Sequence, residues 1–173
     1  MFEGEGCLRL RRTKWQMANG IESIGYTLGA TICSTDAGAL DALYEEIGGA
    51  IYYFERGGVR FPRYDWVVTQ YGAEVLIRQM LPYLHYPRKI IEAKLGLLFG
   101  PLCHPGLDGR KRRPEATTMM ERFHAAFIGL HKKSRVDQQG RAELRSFLSE
   151  VGPGLLPLLD RAEGRPHLRP VSD

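Results

Sequence analysis

From Cys7 to Trp15 the chain alternates. Leu8 and Leu10 fall on one side, Cys7, Arg9 and Arg11 on the other. Successive side chains of a strand point to opposite faces, so this two-residue period predicts a half-buried strand. The leucines should meet a core and the arginines should face solvent or a ligand. Asn19-Gly20 is a turn pair suited to a tight hairpin, and Ile21 to Cys33 reads as the returning strand. The period then changes. Ala39, Leu40, Leu43, Tyr44 and Ile47 recur at helical spacing, with Ser34 or Asp36 as the N-cap and Gly48-Gly49 as the stop. Ala50 to Phe54 and Tyr64 to Thr69 read as a second hairpin around a charged turn containing Gly57-Gly58. Gly72 to Leu84 predicts a helix with Val75, Leu76, Met80 and Leu81 inward and Pro82 near its end. Arg88 to Gly100 predicts another, closed by Gly100-Pro101.

Residues 101–115 change character. They are rich in glycine and proline and carry the basic run Arg110 to Arg113, so they read as an exposed linker. Residues 116–131 are helical again, with Met119, Met120, Phe123, Phe127 and Leu130 as an apolar stripe. A short helix around Arg141 to Leu148 follows, and the proline-rich stretch from about Gly152 reads as a tail. The expected division is 1–100, 101–115, 116–150 and 151–173. The element order is strand, strand, helix, strand, strand, helix, helix. That is α+β with mostly antiparallel strands; no phosphate-binding glycine fingerprint follows the first strand.

Composition is that of an ordinary globular chain: of 173 residues, 43% are hydrophobic and 25% charged. The net charge of +4 matters less than its placement. Arg9, Arg11, Arg12 and Lys14 cluster near the start, Arg88, Lys89 and Lys94 later; such patches attract polyanions by neutralising phosphates. Arg110 to Arg113 suits either a DNA flank or a solvated linker. The three cysteines, an odd count at wide spacing, suit a reducing compartment. No apolar signal-like region opens the chain and no apolar run reaches membrane-spanning length. An intracellular protein is expected, cytoplasmic, organellar or viral within a host, not secreted and with no membrane partner. His85, His104, His124 and His131 lack a compact ligand spacing with the cysteines. Trp15, Trp66 and the tyrosines read as core or sheet packing.

Glu3 and Glu5 are carboxylates separated by small residues just ahead of the basic strand. Carboxylate oxygens are ligands for Mg²⁺, which activates water and stabilises charge on a phosphodiester. An acidic N-terminus without that role is the simpler alternative.

The stretch MFEGEGCLRLRR resembles the end of the LAGLIDADG motif and the strand after it. Met1 and Phe2 match the fourth and fifth places, and Glu3, Gly4, Glu5 and Gly6 match the last four. STDAGALDALYEEIGGAIYYF is similar to the Thr-Asp cap, helix, Gly-Gly and strand of that family. YDWVVTQYGAEVLIRQMLPYL is similar to its later strand and helix, and RKIIEAKLGLLF to the helix that follows. The resemblance covers roughly residues 1–100. It implies an αββαββα homing-endonuclease fold: a curved antiparallel sheet with helices on one face, the first helix being largely absent. With the first three motif places missing, either the true start lies upstream of Met1 or the dimer seam and metal site are impaired.

The resemblance further implies a site-specific endonuclease acting on double-stranded DNA with Mg²⁺ or Mn²⁺. A single motif implies a homodimer, with Glu5 of each chain as metal ligand. Glu3 would support the turn and Gly4 would let the two helices cross closely. Arg9, Arg11, Arg12, Lys14, Arg56, Arg60 and Arg63 would bind DNA. A basic residue is expected near the reacting phosphate, a few places after Leu-Pro-Tyr-Leu. Counted without a gap that place holds Pro87, so Lys89 is the candidate and Arg88 the alternative. A cleavage-defective DNA- or RNA-binding protein, a regulator or an intron-splicing cofactor, would use the same surface.

Overall fold

A computed structural model of the chain describes residues 6–16, 18, 20, 22–55, 63–103, 114–131 and 138–164. Strands β1 (Gly6–Gln16) and β2 (Glu22–Ser34) form a long antiparallel ribbon, with Gly6 opposite Ile32 and Gln16 opposite Glu22. Helix α1 (Gly38–Ile47) leads to the short strand β3 (Ala50–Phe54), which pairs with β4 (Arg63–Thr69). Strand β4 also pairs antiparallel with β2, giving the sheet order β1-β2-β4-β3. Then come α2 (Tyr71–Met80), a 3-10 turn at Leu81–Tyr83 and α3 (Pro87–Cys103). Helices α4 (Pro114–His131) and α5 (Gln138–Val151), a 3-10 turn at Pro153–Leu155 and α6 (Leu156–Gly164) complete the described residues. Among the described residues, no helix is long and apolar enough to cross a membrane.

The alternation read from the sequence sets which face is covered. Leu8, Leu10, Tyr26, Leu28, Ala30, Ile32, Trp66 and Val68 are buried on one face of the sheet. Helix α3 is the hub behind them: it packs on β1 and β2 and touches α2, α4 and α6. Its Ile91, Leu95 and Phe99 are buried in this layer. Phe99, Phe123 and Phe147 meet edge-to-face at 5.6 and 4.9 Å, joining α3, α4 and α5. Each fully buried side chain of this size contributes about 1.5–3 kcal/mol of transfer free energy, so the edge-to-face trio is a strong tie between the C-terminal helices and the sheet layer.

The glycine pair after α1 does more than stop it. Gly48 and Gly49 both take positive φ, 81° and 99°. A Cβ on Gly49 would lie 2.6 Å from the Val67 carbonyl oxygen, a backbone atom that cannot move aside. The Gly48 carbonyl accepts a hydrogen bond from Trp66 Nε1 at 2.9 Å, satisfying an indole that is otherwise wholly buried.

The structure departs from the sequence expectations at several helix ends. The N-cap of α1 is Ala37, without a side-chain hydrogen bond. Ser34 and Asp36 act one step earlier: Ser34 Oγ accepts from the Asp36 amide and Asp36 Oδ1 from the Gly38 amide, both at 3.0 Å. Asp36 thus satisfies the amide of the first helical residue from the position before Ala37. Helix α2 gives way to the 3-10 turn at Leu81, with Pro82 inside that turn. Its buried residues are Ala73, Glu74, Leu76 and Ile77, while Val75, Met80 and Leu81 are only partly covered. Helix α3 runs through Gly100-Pro101 to Cys103. Pro101 removes one helical hydrogen bond and crowds the carbonyl four residues before it, but it falls in the last turn, where the helix has only two residues left to run. The stretch expected to be a tail is folded as far as Gly164, with Leu155 and Leu159 buried.

Candidate nucleic-acid interface

The second face of the sheet presents the basic side of β1, with Thr31 and Asp65 buried in it. Residues paired in register stand side by side on one face. Cys7, Arg9, Arg11, Thr13 and Trp15 of β1 therefore share it with Ser23, Gly25, Thr27, Gly29, Thr31 and Cys33 of β2, and with Arg63, Asp65, Val67 and Thr69 of β4. Arg9 and Arg11 are exposed there. The other two basic residues of β1 go elsewhere, because the pleat alternates. Arg12 and Lys14 are on the leucine side of the strand. Arg12 Nε donates to the Tyr26 hydroxyl at 3.3 Å, and Lys14 pairs with Glu22 at 2.8 Å.

Trp15 lies on the open face, 45% exposed. Its ring sits over Gly25: a Cβ built on that glycine would be 2.5 Å from an indole carbon. The missing side chain is what lets a flat ring lie across the ribbon. The aromatic pair Tyr52 and Phe54, both exposed, stands on the same face of the edge strand β3, opposite Asp65 and Arg63.

Arg63, expected to bind DNA, is engaged within the chain. Its Nε and Nη2 donate to Asp65 Oδ1 and Oδ2 at 2.6 and 2.8 Å, and Nη2 lies 3.1 Å from Cys33 Sγ. The guanidinium holds the Asp65 carboxyl below the usual carboxylate range, with the charge of Arg9 adding in the same direction. Burial and the neighbouring carboxylate push the Cys33 thiol up, which keeps it protonated near neutral pH. Nothing in the sequence marks Asp65, a single acid in a strand. Arg56 and Arg60 lie outside the described residues, as do Glu3, Gly4 and Glu5.

At the other end of β1, two segments far apart in sequence meet. Lys89 Nζ donates to the Gly6 carbonyl at 2.7 Å, so the first turn of α3 is fixed at the residue directly after Glu5. Arg88 turns toward Glu92, with Nε donating to Oε1 at 3.0 Å, and toward His131 of α4, with Nη2 donating to Nδ1 at 2.8 Å. A guanidinium only donates, so Nδ1 accepts and the ring proton sits on Nε2, 3.6 Å from Glu92 Oε1. Burial lowers the His131 pKa, while the Glu92 carboxylate opposes that shift. Neither Glu92 nor His131 stood out in the sequence. An acid four residues after an arginine is an ordinary helical pair, and a lone histidine at a helix end carries no spacing signal.

Among the described residues, no three His, Cys, Asp or Glu side chains come together as a metal site.

The sheet order, the covered face and the helices behind it make this the α+β fold of the LAGLIDADG homing endonucleases. The similar solved structures include the homing endonuclease I-CvuI in complex with its target in the presence of 2 mM Ca. That match is 15% identical with a TM-score of 0.57, covering 87% of this chain and 89% of that one. The same enzyme in complex with the I-CreI target and 2 mM Mg, in which the DNA is not cleaved, matches at 15% identity with a TM-score of 0.58, over the same shares. The archaeal intron-encoded homing endonuclease I-Vdi141I complexed with DNA is 18% identical, with a TM-score of 0.49, over 86% and 89% of the two chains. No protein-family model and no curated protein matches the sequence.

Proposed function

We propose that the chain is a site-specific endonuclease of double-stranded DNA that works as a homodimer. The carrying observation is the hydrogen bond between Lys89 and the Gly6 carbonyl. It brings the basic residue inferred from one motif to the residue after the acid inferred from another, at the end of the strand that presents Arg9 and Arg11. The likeness of fold to homing endonucleases bound to DNA supports the same reading.

In this reading the exposed Arg9 and Arg11 meet the duplex, through phosphates or through the acceptor edge of guanine. Lys89 keeps a positive charge beside the reacting phosphodiester. Glu5 is the residue that would hold Mg²⁺ or Mn²⁺, together with Glu5 of a second copy. The ion, when bound, lowers the pKa of water and neutralises charge on phosphate.

The test is a cleavage assay with Mg²⁺ on a library of duplex targets. It uses the chain as it stands and with residues completing the motif added before Met1. Glu5→Gln should abolish cleavage while DNA affinity stays within about threefold, the pattern of a group that acts only in the transition state. Binding without cleavage by either form of the parent chain would sink the endonuclease reading and leave a DNA- or RNA-binding protein.

A further inference from the structure

Glu92 of α3 is wholly buried, at 0% exposure, with three cationic or ionisable side chains around it. Arg88 Nε reaches its Oε1 at 3.0 Å and His131 Nε2 faces the same oxygen at 3.6 Å. Its second oxygen, Oε2, has no hydrogen-bond partner among the described residues, and Lys89 Nζ stands 3.6 Å from it. Stability gives little reason for such an arrangement. A buried carboxylate with an unmatched oxygen is costly, and apolar residues of similar volume are often as good or better. The arrangement does have a geometric effect. A lysine side chain is a flexible stem with a mobile ammonium. Here that ammonium is held between the Gly6 carbonyl and a carboxylate fixed inside the helix layer, while the side chain remains 19% exposed.

We propose that Glu92 is a positioning residue that holds the Lys89 ammonium at the start of β1. It touches no DNA and acts through Lys89. His131 closes the cluster from α4: by accepting from Arg88 it keeps that guanidinium against Oε1 and leaves the Oε2 side to Lys89. The consequence for rate rests on the endonuclease reading above; the placement of Lys89 does not.

The two are therefore read separately. Brief acetylation of the folded chain with acetic anhydride, followed by peptide mass mapping, compares Lys89 with the exposed Lys94 on the same helix. In Glu92→Gln the Lys89-to-Lys94 ratio should rise about fivefold or more, because the ammonium loses its carboxylate partner and the Gly6 carbonyl alone holds a flexible stem less firmly. Single-turnover cleavage should fall about tenfold or more while DNA affinity stays within about threefold, as expected of a misplaced group near a reacting centre. The double variant Glu92→Gln/Lys89→Met should cleave no more slowly than Lys89→Met, since Glu92 acts only through that lysine. If Glu92→Gln does not fold, Glu92→Asp keeps the charge, withdraws the carboxylate by one methylene and should raise the same ratio. An unchanged Lys89 ratio in a cooperatively folded variant of either kind overturns the proposal. So does full additivity of the double variant. A parent chain that cleaves no DNA but passes the acetylation test removes the endonuclease reading and leaves Glu92 as the anchor of Lys89.

Discussion

Asp65 stands where a carboxylate works against a polyanion. It is on the open face of the sheet, bound through both oxygens to Arg63 and within the field of Arg9. If that face meets DNA, the acid restrains two of its cations. Asp65→Asn should then strengthen non-specific duplex binding about threefold to tenfold at low salt, and steepen the salt dependence by about one charge. Arg63 is half exposed but Asp65 is buried and bound through both oxygens, so the substitution should cost about 1–3 kcal/mol of stability. Fluorescence anisotropy with a random duplex over a salt series reads both effects. Affinity unchanged at every salt would mean that the Arg63–Asp65 pair lies off the DNA path. Asp65 and Glu92 also mark the limit of sequence reading at this scale. The arginines of β1 were legible because a period of two assigns each a face. A single acid in a strand or helix has no such signal until its partners, from other elements, are in place.

Among the elements, α4 links the C-terminal half to the basic strand. Its His124 ring lies 5.7 Å from the Tyr26 ring, and its His131 joins the Glu92 cluster at the head of α3. Burial lowers the His124 pKa, and the charge of Arg12 lowers it further. His131 is lowered as well, chiefly by burial. A histidine held below its ordinary value of about 6.5 binds fewer protons folded than unfolded. Its contribution to stability is complete above about pH 6.5 and is lost as the pH falls through the folded value. The melting temperature should therefore drop between about pH 7.5 and pH 5.5, above the range where Asp65 titrates. His124→Gln should flatten part of that slope, with His131 supplying the rest. Thermal melts followed by circular dichroism across this range would refute the idea if stability rose on acidification. Most elements were readable beforehand, because the change from a period of two to helical spacing is sharp in this chain. The errors gathered at prolines. Pro87, Pro114, Pro153 and Pro157 lie at or near the starts of helical segments. There the missing N–H has no helical partner to lose, and a fixed φ favours the turn. Pro114 falls two residues ahead of the expected start of α4, and the proline-rich stretch read as a tail is where α6 folds.

For the whole molecule, the fold was legible from sequence while the meeting of the two halves of the candidate site was not. Its halves, Gly6 and Lys89, are 83 residues apart and meet only once β1 and α3 pack together. A single chain also carries only one acid at the motif position, so the proposed chemistry needs a second copy. Twofold symmetry then requires two half-sites in the duplex and two equal contributions to the site. Native mass spectrometry on a palindromic target should find two chains per duplex, and one chain on an isolated half-site. Mixing parent chain with an equal amount of Glu5→Gln chain extends the test to mechanism. When subunits exchange freely at equal concentrations, about one quarter of dimers keep both acids. Double-strand cleavage should fall to about that fraction, although half of the chains are intact. Mixed dimers that nick one strand would mean that each chain cuts independently of its partner's acid, and a monomeric complex on the full target would remove the shared site altogether. The same mixture with Lys89→Met chains separates the two residues. If Lys89 serves only its own half-site, mixed dimers should nick one strand, and a supercoiled plasmid assay would collect open circles in place of linear product.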